Sequence, residues 1–245
     1  MTDSIADNIQ RIRDKISDAC ARANRRPEEI TLVGVSKRKP ITDIFQALDA
    51  GLQHFGENRV KEVRQKIPVV SENLQERPAP IWHMVGHVQS RKAKDVLSLF
   101  QTTHSLDSLK LAQKMSRIAV EKELQPQVFI QVNISGEDQK YGLPAANWQQ
   151  DAAVREPLLA DLAQILALEA LDIRGLMTMA PYGAPEDEVR AVFASLAALQ
   201  AELAGQSAAP LPELSMGMTD DYPIAIEEGA TVIRVGRAIF GERRY

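Results

Sequence analysis

Hydrophobic residues are arranged in two kinds of pattern along the chain: a helical spacing and short continuous runs. The first is helical, because apolar residues three or four positions apart predict an amphipathic helix over about residues 3–24. Further on, short runs of β-branched and aliphatic residues alternate with helical patterns. The runs predict strands near residues 30–36, 53–55, 81–85, 102–105, 128–133, 173–177, 213–216 and 231–235. The helical patterns between them cover about residues 41–50, 59–67, 96–100, 107–122, 155–169, 186–204 and 221–229.

This alternation predicts the fold class. About eight strands, each alternating with a helix, imply parallel pairing with right-handed crossovers. The count favours an α/β fold that closes as a (β/α)8 TIM barrel, with an extra N-terminal helix, over an open doubly wound sheet. No linker or composition shift interrupts residues 1–245, which we interpret as one domain. The polar connection 136–153 carries two glycines and a proline and is expected to form a loop over the top of the barrel.

Composition and charge narrow the function classes. Of 245 residues, 44% are hydrophobic and 25% are charged, and the net charge of −4 gives no basic footprint for nucleic acid. No apolar stretch approaches the roughly 18 residues of a membrane span, and the first residues lack the apolar middle of a signal peptide. Cys20 is the only cysteine, so no internal disulfide can form. We expect a cytoplasmic protein without nucleic-acid or membrane partners and, since no exposed apolar stripe stands out, a monomer.

A lysine closes the first predicted strand. Lys37 follows the apolar run Thr31–Val35 and Ser36, which places it at the C-terminal end of that strand. In a (β/α) barrel this end carries the chemistry. Partial burial disfavours the ammonium form, so the amine can condense with an aldehyde. The alternative is a solvated lysine without a chemical role.

A second candidate site follows the last two predicted strands. These end in LSMGMTDD and VIRVGRAIFG, and barrels often hold a phosphate between the loops after strands seven and eight. Ser215 can donate a hydroxyl and Arg237 a cationic N–H. Gly217 and Gly236 let the backbone approach an anion closely, although each glycine alone is explained as well by a turn with positive φ. Together these residues predict an anion site.

The amine and the anion site are expected to share one mouth, because the first and last strands of a closed barrel are neighbours. An aldehyde that carries a phosphate fits this pairing, and pyridoxal phosphate is the commonest such cofactor. Arg234 lies two residues before Gly236, on the same strand face. If Arg234 reaches the pyridine nitrogen, its permanent charge keeps that nitrogen unprotonated and makes the ring a poor electron sink. The alternative for Arg234 is a salt bridge inside the barrel.

Longer motifs resemble those of a known family. In chain order they are LVGVSKRKP, FGENRVKE, WHMVGHVQ, HSLDSLKLA, QVNISGEDQKYGL, IRGLMTM, LSMGMTDDYPIAI and VIRVGRAIFG. They are similar to motifs of the pyridoxal phosphate homeostasis proteins, a family that also resembles the N-terminal barrel of the fold-type III alanine racemases. The likeness runs from about residue 30 to residue 240.

The resemblance implies a role for each candidate residue. It implies that Lys37 forms the internal aldimine of pyridoxal 5'-phosphate and that Arg234 faces the pyridine nitrogen. The residues that it places around the phosphate are Ser215, Gly217, Gly236 and Arg237. Those that it places around the ring are Asn58, His83 and Met177. The residues alone also allow ordinary structural roles. Asn58 could cap a helix, His83 could be a hydrogen-bonded polar group in the core, and Met177 could pack inside the barrel.

Two functions are open on the sequence. The resemblance implies a carrier that holds and buffers the cofactor and passes it to, or protects, apo-enzymes, with no catalytic residue and no turnover of its own. The alternative is a single-domain amino-acid racemase, which needs acid or base groups on both faces of its substrate. Lys37 would serve one face. The racemases bring a tyrosine for the other face from a second domain, which we do not find in this chain, and we therefore favour the carrier.

The tyrosines of this chain bear on the racemase alternative. They are Tyr141, Tyr182, Tyr222 and Tyr245. None can be placed opposite Lys37 from the sequence. Tyr141, in the 136–153 connection, is the best candidate for the second acid.

Overall fold

A computed structural model describes residues 4–206 and 211–242 of the chain. Its first helix, α1 (Ile5–Arg22), begins at Ser4, whose side chain exchanges hydrogen bonds with Asp7 in a capping box. The apolar face of α1, including Cys20, is buried against the rest of the protein. The extra N-terminal helix is therefore confirmed, and residue 3 of its predicted range lies outside the described residues.

Eight parallel strands form a closed barrel over the described part of the chain, as the sequence predicts. The described residues contain nine strands, all of which except β6 belong to this barrel: β1 (Thr31–Val35), β2 (His54–Glu57), β3 (Ile81–Met84), β4 (Thr102–Leu106), β5 (Gln127–Asn133), β6 (Leu143–Pro144), β7 (Asp172–Met177), β8 (Glu213–Ser215) and β9 (Val232–Val235). The barrel runs in the order β4-β3-β2-β1-β9-β8-β7-β5, and pairing of β4 with β5 closes it. The two-residue β6 lies outside this ring, paired with β5.

Helices surround the barrel. They are α2 (Ile41–Asp49), α3 (Val60–Glu72), α4 (Ala93–Leu99), α5 (Leu109–Glu121), α6 (Ala152–Leu166), α7 (Glu186–Gln206), α8 (Tyr222–Glu227) and α9 (Arg237–Phe240). The four-residue α9 follows the last strand directly and was not predicted. Among the helices over 4–206 and 211–242, none has the length and apolar character that crossing a bilayer requires.

Apolar side chains fill two layers. The larger core lies between strands and helices, where Phe55, Trp82 and Phe193 are buried. A smaller cluster inside the barrel contains Val33, Phe129, Met177 and Val232. Each strand packs against helices on one face and against the barrel interior on the other, so its sequence is a nearly continuous apolar run. Polar residues inside the barrel depart from this pattern.

Strands β1 and β9 are direct neighbours. Val33 pairs with Arg234 in this ladder. Beyond it the backbones stay close, since a Cβ built on Gly236 would lie 3.3 Å from the Val35 carbonyl oxygen. The segments that follow β1 and β9 thus open on one mouth, which confirms the adjacency expected from barrel closure.

The 136–153 connection differs from the polar loop that the sequence predicts. Only its first part crosses the top of the barrel, where Tyr141 stacks on His87 with 3.8 Å between ring centroids. The second part is built into the wall, because β6 pairs with β5. There the buried Trp148 donates its Nε1–H to Ser195 of α7 at 3.0 Å. A few apolar residues in a polar stretch are enough to anchor it.

Candidate functional site

A cavity of about 440 Å³ opens at the C-terminal ends of β1 and β9. This volume lies in the usual range of small-molecule sites. Four basic side chains and two acidic ones line it, so it favours an anionic ligand. The basic residues are Lys37, Lys39, Arg234 and Arg237. The structure therefore brings together the predicted amine, the predicted ring partner and one predicted phosphate donor.

A buried ion pair supports the segment that carries Lys37. Behind this half-buried lysine, Lys66 Nζ of α3 donates to the Ser36 carbonyl at 2.8 Å and to Glu57 Oε1 at 2.6 Å. The Ser36 hydroxyl donates to the same carboxylate oxygen at 2.8 Å. Burial raises the pKa of Glu57, and the neighbouring Lys66 opposes this rise. The backbone on either side of Lys37 is thus tied to the barrel wall.

The residues after Lys37 are also fixed. Arg38 adopts a φ of +60°, and its backbone N–H donates to Glu62 Oε1 at 2.5 Å. Lys39 Nζ donates to the Glu242 carbonyl at 2.9 Å and to the Gly241 carbonyl at 3.1 Å, just beyond α9. The loop after β1 and the loop after β9 therefore form one continuous rim.

The two predicted phosphate glycines have different backbones. Gly217 has a φ of +94°, and a Cβ there would lie 2.6 Å from the Ala225 Cβ. Its turn therefore requires glycine on its own account. Gly236 has a negative φ, precedes α9 and lines the cavity. Only glycine lets the backbone of this second turn face a ligand without a side chain in the way.

Arg237 lies at the rim of the cavity. Its guanidinium donates to Asp220 Oδ1 at 2.6 Å, and its side chain is 44% exposed. Hydrogen bonds to Tyr182 and then to Asp220 raise the pKa of Arg237. Part of its positive charge is therefore already offset by a carboxylate.

The structure does not bring the Ser215 hydroxyl to the cavity. This hydroxyl lies deeper in the barrel, bonded to His104 Nδ1 at 2.7 Å and to the Arg234 guanidinium. Thr219 lines the cavity instead, four residues further along the chain. Sequence reasoning missed Thr219, because β8 ends at Ser215 and the alternation of side chains along a strand does not extend to residue 219.

Arg234 is held deep in the barrel. It is 5% exposed, and it donates to the Ser215 hydroxyl and to the Thr178 carbonyl, the latter at 2.9 Å. Both acceptors are uncharged oxygens, unlike the carboxylate of a salt bridge. Burial lowers the pKa of Arg234 to about 10, against the opposing effect of Asp221. The guanidinium therefore remains a cation at neutral pH.

The three residues that the resemblance places around the ring lie outside the lining of this cavity. Asn58 lines an adjacent depression, and its Oδ1 has no hydrogen-bond partner in the part of the chain that the structure describes. It does not cap α3, which begins after Arg59. His83 and Met177 are buried in the barrel interior, in the structural roles that the residues alone allow. Ring contacts from these three residues stay a prediction.

Three histidines form a chain below Arg234. His54 Nδ1 lies 2.9 Å from His83 Nε2, and His83 Nδ1 lies 2.9 Å from His104 Nε2. His104 then contacts Ser215, as described above. Sequence reasoning missed His54 and His104, because the contacts join different strands whose relative heights depend on the barrel register.

The tyrosines differ in their position relative to the cavity. Tyr141 stacks on His87 instead of lining the cavity, whereas Tyr182 lines it and is 82% exposed. Tyr222 is buried in α8, where burial raises its pKa to about 12. Tyr245 lies outside the described residues. Tyr141, the candidate for the second acid, is therefore not among the residues that line the cavity of Lys37, whereas Tyr182 is.

The sequence of this chain matches one family model and several curated proteins. The family described as "Alanine racemase, N-terminal domain" matches residues 2–244. A pyridoxal phosphate homeostasis protein of Aquifex aeolicus is 35% identical over 240 residues, covering 98% of each chain. One of Escherichia coli K12 is 40% identical over 248 residues, covering 98% of this chain and 97% of the other.

Solved structures agree with this. PipY of Synechococcus elongatus PCC7942, solved with PLP bound, is 38% identical with a TM-score of 0.77, covering 92% of this chain and 100% of the other. An alanine racemase of Clostridium difficile 630, 15% identical with a TM-score of 0.67, covers 100% of this chain and 58% of its own, and shows the shared fold. The chain therefore belongs to the pyridoxal phosphate homeostasis protein family and has the fold of the alanine racemase N-terminal domain.

Proposed function

We propose that this protein binds pyridoxal 5'-phosphate in the cavity at the C-terminal ends of β1 and β9, with Lys37 as the residue that bonds to it. The observation that carries the proposal is the presence of Lys37 and Arg234 in one cavity, at the barrel end where such folds place ligands. A relative 38% identical to this chain has been solved with PLP bound. When bound, the cofactor supplies an aldehyde that condenses with a primary amine.

The donor set of the cavity fits a phosphorylated ring. On the phosphate side it offers the Thr219 hydroxyl, the Arg237 guanidinium and the bare backbone of Gly236. Gly217 shapes the turn from which Thr219 projects, and we infer that its backbone belongs to the same anion site. Ser215 serves this site indirectly, by holding Arg234.

Arg234 is the residue that we assign to the pyridine nitrogen. Its charge persists at neutral pH even though burial lowers its pKa to about 10. A guanidinium can only donate hydrogen bonds, so the nitrogen opposite it must accept and stays unprotonated. An unprotonated ring withdraws electrons poorly, which favours storage of the cofactor over catalysis on it.

We infer that the protein acts in pyridoxal phosphate homeostasis as a carrier without turnover of its own. This inference rests on the unprotonated ring being a poor electron sink and on the family of the chain. Its partners would be the cofactor and the apo-enzymes that receive it, and we expect the carrier to be a cytoplasmic monomer. A primary amine in a cavity open at the barrel mouth suits loading and release.

The racemase alternative has one observation in its favour. Tyr182 lines the same cavity as Lys37, so a second proton donor is within the site. However, its hydroxyl bonds to Arg237, and its side chain is largely exposed. A proton donor for a substrate carbanion is normally shielded from water, so Tyr182 is poorly placed for that role.

Titration of the purified protein with pyridoxal phosphate, followed by ultraviolet-visible absorption, tests the binding proposal. We expect the wild type to show the absorption band of lysine-bound cofactor and Lys37→Arg to lose it, because the guanidinium keeps the charge but is not a nucleophile. Lys140→Arg is the matched control and should keep the band. Loss of the band in the control, or its persistence in Lys37→Arg, would refute the assignment.

A racemisation assay on the loaded protein separates the two functions. The carrier proposal predicts no turnover of common amino acids above the rate of free cofactor. Turnover that is lost in Tyr182→Phe or Tyr141→Phe would establish the racemase instead.

A further inference from the structure

A continuous line of polar side chains runs through the barrel interior. From the bottom upward, the histidine chain consists of His54, His83, His104, Ser215 and Arg234. Its successive contacts measure 2.9 Å, 2.9 Å and 2.7 Å up to the Ser215 hydroxyl, which then meets the Arg234 guanidinium. At the lower end, His54 is half-buried and lines a depression at the N-terminal end of the barrel. The other four residues are buried.

Arg234 dictates which atom donates at every link. A guanidinium has no acceptor, so Ser215 Oγ accepts from Arg234. The Ser215 hydroxyl hydrogen is then satisfied by His104 Nδ1, whereas the opposite arrangement would leave a buried hydroxyl hydrogen without an acceptor. A neutral imidazole that accepts at Nδ1 carries its hydrogen on Nε2.

The same logic passes down the chain. His104 Nε2–H donates to His83 Nδ1, which makes His83 an Nε2–H tautomer as well. His83 Nε2–H then donates to His54 Nδ1. All bonds therefore point the same way, and the two inner imidazoles are neutral. Burial lowers the pKa of His83 to about 3 and holds that of His104 well below its ordinary range, in agreement with this arrangement.

Packing holds the chain in place. The His104 ring stacks on Phe129, with 4.5 Å between centroids and 12° between planes. Phe129 itself belongs to the apolar cluster inside the barrel. His104 thus has one ring face packed against the core and both nitrogens bonded, so it presents Ser215 with an acceptor at a fixed position.

We propose that His104 is a positioning residue for Arg234: acting through Ser215, it fixes the guanidinium at the place where the cofactor ring is received, with His83 and His54 fixing His104 in turn. The inference rests on the proposed function for the identity of the ligand. Neither His104 nor His83 lines the Lys37 cavity, and both act through the chain alone. The Thr178 carbonyl is the second support of the guanidinium.

The tautomers test the chain without any cofactor. Nitrogen-15 NMR of the imidazoles at pH 7.5, assigned with His→Gln variants, distinguishes Nδ1–H, Nε2–H and cationic rings. We expect neutral Nε2–H forms for both His83 and His104. A cationic ring or an Nδ1–H tautomer at either position would overturn the proposed direction of the chain.

Substitutions then test the coupling to the ligand. His104→Phe keeps a ring to stack on Phe129 but removes the acceptor, and we expect about tenfold weaker binding of pyridoxal phosphate with a shifted absorption maximum. His104→Gln, which can accept and donate, should restore most of the affinity. Phe129→Leu is the matched control, because it removes the stacking and keeps the hydrogen bonds, and should shift the absorption maximum much less than His104→Phe does.

The outcomes separate this inference from the proposed function. Absence of any cofactor spectrum in the wild type would refute the proposed function. A normal wild-type spectrum that His104→Phe leaves unchanged, or that Phe129→Leu shifts as much, would refute the positioning role alone. Ser215→Ala provides a second route to the same break, should His104→Phe fail to fold, and is expected to reproduce its spectral shift.

Discussion

Acidification should destabilise this protein through the histidines buried in its barrel. His83 is 5% exposed, and burial lowers its pKa from 6.5 to about 3, with His54 contributing in the same direction. In the unfolded chain the same imidazole takes up a proton near pH 6.5. Below that pH the unfolded state binds more protons than the folded state. Stability is therefore fully present above pH 6.5 and is lost as the pH falls towards 3.

The size of the effect follows from the separation of the two pKa values. One pKa unit corresponds to about 1.4 kcal/mol, so at pH 4.5, two units below the unfolded value, His83 alone costs about 3 kcal/mol of unfolding free energy. His104 is fully buried and its pKa is also held well below the ordinary value, so it adds a loss of the same sign. Domains are stable by only about 5–15 kcal/mol, so the combined loss is a large share.

Urea denaturation of the wild type and His83→Gln between pH 7.5 and pH 4.5 measures this loss. The variant isolates the histidine, because carboxylates that titrate in the same window affect both proteins equally and cancel in the difference. We expect the wild type to lose about 3 kcal/mol more than His83→Gln across this range. Two parallel curves, with a difference independent of pH, would show that His83 titrates normally and that the buried chain is absent in solution.

Three further substitutions test the packing of the barrel and of its surrounding helices. Lys66→Met leaves the buried Glu57 carboxylate without its cation and should cost about 3–5 kcal/mol, whereas Lys66→Met with Glu57→Leu should recover most of this in urea denaturation. Gly175→Ala would place a Cβ 1.7 Å from the Glu213 carbonyl oxygen and should cost at least about 2 kcal/mol or prevent folding. Gly205→Ala, in α7 with no described atom within 4 Å of the added Cβ, should instead stabilise by about 0.5–1 kcal/mol in thermal melts.

The local pattern of apolar residues was sufficient to predict the barrel and the position of Lys37 at the C-terminal end of its first strand. The apolar run before Lys37 shows a strand buried on both faces, and the alternation of strands with helices implies parallel pairing. Closure then makes β1 and β9 neighbours, so Lys37 and Arg234 share a cavity. Each of these steps needs only the chain order of the elements.

Features that depend on register and depth were not predictable. Thr219 faces the cavity because β8 ends at Ser215 and a turn through Gly217 follows, and neither the end of the strand nor the path of the turn can be predicted from the sequence to the residue. The contact of His83 with His104 joins strands at heights set by the stagger of the barrel. The packing of Trp148 against the barrel was not predictable either, because most of its sequence neighbours are polar and the segment has the composition of a loop.

Reduction of the cofactor-loaded protein with borohydride, followed by protease digestion and mass spectrometry, identifies the lysine that bonds to the cofactor. Borohydride converts the bond between cofactor and lysine into one that survives digestion, so the modified peptide identifies the amine. We expect a single adduct on Lys37, at the mouth shared by β1 and β9. An adduct on another lysine, such as Lys140, with Lys37 unmodified would contradict it.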